Sequence, residues 1–210
     1  MTMPFYVSPE QIIKDKADYA RKGIARGRSV VVAQYDQGIL FVAVGKYNEF
    51  ENLRVAGVRY ADLRGYSYDR ADVTSRGLAN AYAQTLGTVF TEAQKPYEVE
   101  IIVAEVGADE GSDQLYRLTF DGSVGDEHGF VAMGGAAEAI STQLQEQWRP
   151  DLSLEQALTM AVAALSEHGG QGPRTLDEQL LEVAILDRNR PRRCFRRLTG
   201  DELSDLLNSE

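Results

Sequence analysis

Residues 8–44 read SPEQIIKDKADYARKGIARGRSVVVAQYDQGILFVAV, and the order of signals in this stretch decides how the chain folds. Ser8 is a good helix N-cap, Pro9 at the first helical position gives up an amide hydrogen that would find no partner, and Gln11 stands where a capping box closes. A helix from there to about Arg26 would carry Ile13, Ala17, Ala20 and Ile24 on one narrow stripe, with charge elsewhere. Such a stripe of small residues suits docking on a neighbour better than building a core. Ser29–Tyr35 and Ile39–Val44 are two apolar, β-branched runs, and the Asp36-Gln37-Gly38 between them predicts an antiparallel hairpin. Met1–Val7, with Pro4, Phe5 and Tyr6, form a segment ahead of the cap that nothing in its own sequence holds in place.

Further along, Phe50, Leu53, Ala56/Gly57, Tyr60 and Leu63 predict a helix from Gly45 to about Arg64 with one buried face. After the turn Gly65–Arg70, Leu78, Tyr82, Leu86 and Phe90 predict a second helix over 72–92. Tyr97–Val106 is apolar almost throughout and reads as a strand covered on both faces. Leu115–Phe120 and Gly129–Met133 read as further strands, followed by helices over 136–148 and 154–167, strands over 180–186 and 192–197, and a short helix over 202–207. Helices paired between groups of strands point to an α+β fold of two stacked sheets flanked by helical layers, in one domain over 1–210.

Composition narrows the function. The 210 residues are 43% hydrophobic and 26% charged, with a net charge of −10 that disfavours nonspecific adhesion to nucleic acid or to an anionic membrane. A lone cysteine, Cys194, rules out an internal disulfide and suits a reducing, cytoplasmic setting. No run reaches the roughly 20 apolar residues of a transmembrane helix, and the first residues lack a signal peptide's apolar stretch. Six arginines within Arg188–Arg197 could bind phosphate, but on an acidic chain they favour carboxylates of neighbouring elements or subunits. Cys194, His128 and His168 fit no cysteine-hydrolase pattern, and both histidines are expected at the surface. The acidic loop Asp109, Glu110, Asp113 lacks a calcium-loop pattern and is expected to be solvated charge. Gly134-Gly135 before a helix suits either an anion or close strand-to-helix packing. No cofactor or metal is expected.

Several stretches resemble the α-type subunits of the proteasome, in particular those of the bacterial, actinobacterial branch. They are Val7-Ser8-Pro9, Tyr19–Ile24, Arg26–Val31, Gly45–Phe50, Arg64–Arg70, Ala83–Gly87, Lys95–Val99 and Asn189–Arg193. The resemblance implies a four-layer αββα sandwich, the amino-terminal-nucleophile hydrolase fold, with an extra amino-terminal helix at 8–27. In that family seven α subunits form each outer ring of a barrel-shaped protease whose β subunits carry a terminal threonine nucleophile. Such a nucleophile must be the first residue, so that its free amine can act as base. Matching Gly38 to the hairpin glycine of β-type subunits places Arg28 at the threonine position and Val44 at the aspartate position, so the resemblance implies no catalytic residue here.

The resemblance further implies partners: β subunits, other α subunits in a seven-membered ring, a ring-shaped ATPase activator, and protein substrates in transit. Met1, Thr2, Met3, Pro4, Phe5, Tyr6 and Val7 would be the gating tail. Gly27, Gly45 and Lys46 would belong to the activator pocket, and Ile13, Ala17, Ala20 and Ile24 would meet ring neighbours. Between Ala43 and Val44 the family pattern has roughly twenty more residues, enough for a loop and a strand. The alternative reading is an active hydrolase that exposes Ser29 once residues 1–28 are removed.

Overall fold

In a computed structural model, which describes residues 8–44, 51–168, 175–190 and 192–208, the hairpin lies at the middle of the molecule. β1 (Val30–Tyr35) and β2 (Gly38–Val44) pair antiparallel, with Val30 opposite Ala43 and Tyr35 opposite Gly38. Gly38 has φ +155°, and a Cβ there would stand 1.8 Å from the Leu186 carbonyl oxygen, so the turn can carry no side chain. With β6 (Phe130–Met133), β7 (Leu181–Asp187) and β8 (Phe195–Leu198) the hairpin forms a five-stranded sheet in the order β6-β1-β2-β7-β8.

Alternation on the hairpin sends side chains both ways. Val31, Ala33, Tyr35, Leu40, Val42 and Val44 pack under α4 (Ala137–Gln147) and α5 (Leu154–His168), in the larger core. Val32 and Ile39 face the other way, onto Leu115 of a second, three-stranded sheet. Its strands are β3 (Ile101–Glu105), β4 (Gln114–Leu118) and β5 (Val124–Glu127), in the order β3-β4-β5. The outer face of that sheet, through Val103, Tyr116 and Leu118, is covered by α2 (Glu51–Ser67) and α3 (Ser75–Glu92). Helices, sheet, sheet and helices make the four layers expected. α6 (Asp201–Asn208) joins the α5 side through the buried Leu203, and α1 (Pro9–Arg26) lies outside the layers.

Several boundaries depart from expectation for identifiable reasons. Ser8 Oγ caps Gln11 N–H as read, but the Gln11 side chain donates to Asp15 rather than closing a box. Ser153 and Gln156 do close theirs reciprocally. Four strands, not three, separate α3 from α4, because β5 is a polar edge strand without an apolar pattern. Of Tyr97–Val106 only Ile101–Glu105 pairs as strand. α2 buries only Leu53 and Gly57, while Leu63 is 68% exposed, so the single buried face expected of it is short.

The acidic loop is the clearest correction. Asp113 is not solvated: its carboxylate is fully buried and takes two hydrogen bonds from the Arg188 guanidinium, at 2.8 and 3.0 Å. Arg188 also donates to the Gly107 carbonyl, so this pair ties the end of one sheet to the end of the other. Removing one partner of a buried pair leaves the other charge without compensation. Arg188→Ala should therefore cost about 3 kcal/mol of unfolding free energy, read from denaturant midpoints, whereas Arg190→Ala, on an exposed residue, should change little.

A pH effect follows from Tyr35. Burial, reinforced by the neighbouring Asp187 carboxylate, pushes its phenol from 10.0 up to about 12. The folded chain holds the proton more tightly than the unfolded one, so this contribution is complete below pH 10 and is lost as pH climbs towards about 12. In Tyr35→Phe the alkaline fall in melting temperature across that interval should be shallower than in the parent.

Candidate functional site

The place where a terminal nucleophile would stand is the junction of α1 and β1, and its chemistry depends on what surrounds Arg28 and Ser29. α1 is anchored on its own chain along its length. Lys16 Nζ donates to the carbonyls of Phe90 and Thr91 at 3.0 and 3.4 Å, placing a cation at the carbonyl end of α3. Lys95 Nζ lies 5.5 Å from the centre of the Tyr19 ring and pairs with Glu98 at 3.0 Å. Arg21 lies 5.8 Å from the centre of the Phe120 ring. Gly23 sits directly on the Glu98 side chain, where a Cβ would approach its carboxylate to 2.0 Å. Two of the quoted stretches, Tyr19–Ile24 and Lys95–Val99, thus meet in space.

Past its last turn the chain is pressed onto Gly134-Gly135. A Cβ on Gly135 would lie 2.2 Å from the Ala25 carbonyl oxygen, and one on Gly134, whose φ is +96°, would lie 2.4 Å from that of Arg28. The glycines serve close packing: the oxygens that approach them are carbonyls, which would repel an anion. Arg28, which the resemblance sets at the threonine position, is exposed, whereas Ser29 beside it is 2% exposed and its carbonyl accepts from Val44 N–H at 3.3 Å. Val44, at the aspartate position, is 5% exposed and apolar.

Beside the junction is a cleft of about 360 Å³, with Arg21, Ile24, Arg117, Phe120, Gly134 and Ala137 among its walls. Its charges are largely spent: Arg117 pairs with Glu100 at 2.8 Å. Burial would raise the Asp121 carboxyl, but hydrogen bonds from Thr119 and Ser123 outweigh it and hold the group below the ordinary carboxylate range. Among the described residues no group of three or more His, Cys, Asp or Glu side chains could hold a metal ion. His128 is exposed and Cys194 half-buried. Of the arginine cluster, Arg188 and Arg196 are paired, with Asp113 and with Glu202, while Arg190, Arg192 and Arg193 frame an open depression of about 470 Å³.

The stripe on α1 is divided. Ala20 is fully buried by the chain's own fold, Ala17 and Ile24 are half-buried, and Ile13 is 56% exposed beside Ile12 at 46%. The inner half is covered by the chain's own fold, which periodicity alone could not distinguish from a separate partner. Gly27 caps the helix, its N–H donating to Ile24 at 2.8 Å, and is exposed. Met1–Val7, Gly45 and Lys46 lie outside the described residues.

A family model described as proteasome subunit matches residues 24–185. The chain belongs to the proteasome subunit family. It is 61% identical over 233 residues to the proteasome subunit alpha of Kineococcus radiotolerans, covering 99% of this chain and 98% of that protein. It is 62% identical over 231 residues to that of Sanguibacter keddieii, covering 100% and 91%, and 60% identical over 228 to that of Thermomonospora curvata, covering 99% and 98%. These alignments are longer than the chain's 210 residues, so each relative has residues with no counterpart here. The close approach of Gly135 to the Ala25 carbonyl fixes the last turn of α1 against the chain. Gly135→Val should lift the last turn of α1, and trypsin cleavage after Arg26 and Arg28 should then quicken while cleavage elsewhere keeps its rate.

Proposed function

We propose that the chain is a noncatalytic α-type subunit of a cytoplasmic proteasome core particle, forming its outer seven-membered rings, templating the β rings and gating admission of substrates. The observation that carries this reading is the α1–β1 junction. A family whose chemistry needs a free terminal amine is here represented by a chain in which Arg28 and Ser29 are continuous with a preceding helix. That helix is tied down at Lys16, Tyr19, Gly23 and Ala25, which supports a permanent part rather than a propeptide. The exposed Ile12 and Ile13 supply apolar surface for a ring neighbour. Gly27, Gly45 and Lys46 would form part of the pocket that takes the end of a ring-shaped ATPase, and Met1–Val7 would be the gate. Seven copies of a bulky tail on one axis can fill a pore by crowding, even where one copy orders nothing.

No helix among the described residues is long and apolar enough to cross a membrane. The acidic composition argues against nucleic acid as a partner.

The purified chain alone should not cleave peptides, and mixed with its β-type partner it should assemble into a particle that does. Deleting Met1–Val7 should raise peptide hydrolysis by that particle several-fold while leaving labelling of the β nucleophile unchanged; an unaltered rate would mean the tail is no gate. If instead the isolated chain proved active and its mass showed the loss of residues 1–28, Ser29 would be the nucleophile and the noncatalytic reading would fail.

A further inference from the structure

The turn between β7 and β8 carries more arginine than its own surroundings use. Arg188 is spent on Asp113, and Arg196, inside β8, on Asp187 and Glu202. Arg190, Arg192 and Arg193 are exposed, and none of them forms an ion pair among the described residues.

The backbone holds these three in place. Asp187 N–H donates to the Cys194 carbonyl at 2.8 Å and closes the neck of the turn, and Arg190 N–H donates to the Asp187 carbonyl at 3.2 Å. The turn is also tied to the one between β1 and β2. Arg188 N–H donates to the Gln37 carbonyl at 2.8 Å, and Asn189 Nδ2 donates to Gln37 Oε1 at 3.2 Å. Arg192 has φ +72°, in the left-handed region that glycine or asparagine enters at less cost. Strain of that kind persists only where the surrounding structure holds it, and here it carries an exposed guanidinium.

The chemistry of an occupant follows from the borders of the patch. Guanidinium forks match oxyanions in plane, two hydrogen bonds at a time. The depression of about 470 Å³ is open and is lined, among the described residues, by Asn189, Arg190, Arg192 and Arg193, so it has no apolar wall to enclose a small molecule or stack a base. A long polyanion is disfavoured as well. Asp109, Glu110 and Asp113 lie around Arg188, Asp187 and Glu202 around Arg196, and the whole chain carries a net charge of −10. Phe195, two residues past Arg193, is 57% exposed at the start of β8 and offers one apolar contact. A segment only a few residues long, bearing carboxylates, fits all of these limits.

We propose that the β7–β8 turn is a docking site for a short glutamate- or aspartate-rich peptide segment of another protein, with an apolar side chain beside its carboxylates. Exposed ion pairs contribute little singly, so the affinity comes from several guanidinium groups that the turn holds in advance. Asp187 is paired with Gly38, which puts the site at the far end of the hairpin, roughly 17 Å along β1 from the junction with α1. It does not depend on the noncatalytic reading or on the surfaces that reading uses.

The test titrates the full chain into a fluorescent peptide that has a run of glutamates around one phenylalanine, read by anisotropy. We expect saturable one-to-one binding that weakens steeply as salt is added. The same peptide with glutamine for every glutamate should not bind. Arg193→Glu should weaken binding by about tenfold at an unchanged melting temperature, whereas Arg59→Glu, an equal change of charge at an exposed site on α2, should not weaken it. Equal binding of the glutamine peptide, or an equal loss with Arg59→Glu, would overturn the proposal. So would full competition by inorganic phosphate at the peptide's own concentration, which would assign the patch to free anions, or tighter binding of single-stranded DNA. Salt-sensitive self-association that Arg193→Glu abolishes would assign the patch to a second copy and overturn it too.

Discussion

Everything in this fold rests on a hairpin that is apolar on both faces. A strand whose side chains alternate between apolar and polar can leave one face to water; β1 and β2 cannot. Val31, Ala33, Leu40 and Val42 need the α4 and α5 helices, and Val32 and Ile39 need a second sheet. That second sheet has an outer face too, apolar at Val103, Tyr116 and Leu118, which draws in α2 and α3. Four layers are the smallest arrangement that satisfies both demands.

The same hairpin explains why the chain's beginning matters. In an amino-terminal-nucleophile hydrolase the first residue of β1 is the reacting group; here a helix precedes it, and the joint between them is exposed at Gly27 and Arg28 and buried at Ser29. The joint is held by shape, with two glycines admitting two backbone carbonyls at distances no side chain would allow. Polar contacts farther along α1 are mostly at the surface and orient the helix more than they stabilise it. The result is a chain with the architecture of that fold in which a helix runs directly into β1.

Much of this was legible. The capped first helix, the antiparallel hairpin, and the pairing of helices into layers all follow from periodicity and turn chemistry. The parts that were not legible share a cause. β5 is a strand because β4 offers it an edge, and Val124-Gly125-Asp126-Glu127 carries no apolar alternation to announce it. Asp113 looks like one solvated acid among three until Arg188, far along the chain, is brought onto it. Leu63 fits a helical stripe, yet it is 68% exposed, with no layer among the described residues covering it. The arginine cluster divides in the same way, into residues that find carboxylates and residues that do not.

The sequence by itself determined the elements and the family, because each depends on neighbours within a few residues or on short stretches of matching residues. Tertiary structure decided which half of the α1 stripe faces inward and that Gly134-Gly135 receives carbonyls rather than an anion. Those outcomes depend on which distant surfaces come into contact, and burial, unlike helical periodicity, is a property of pairs of segments that no single segment encodes.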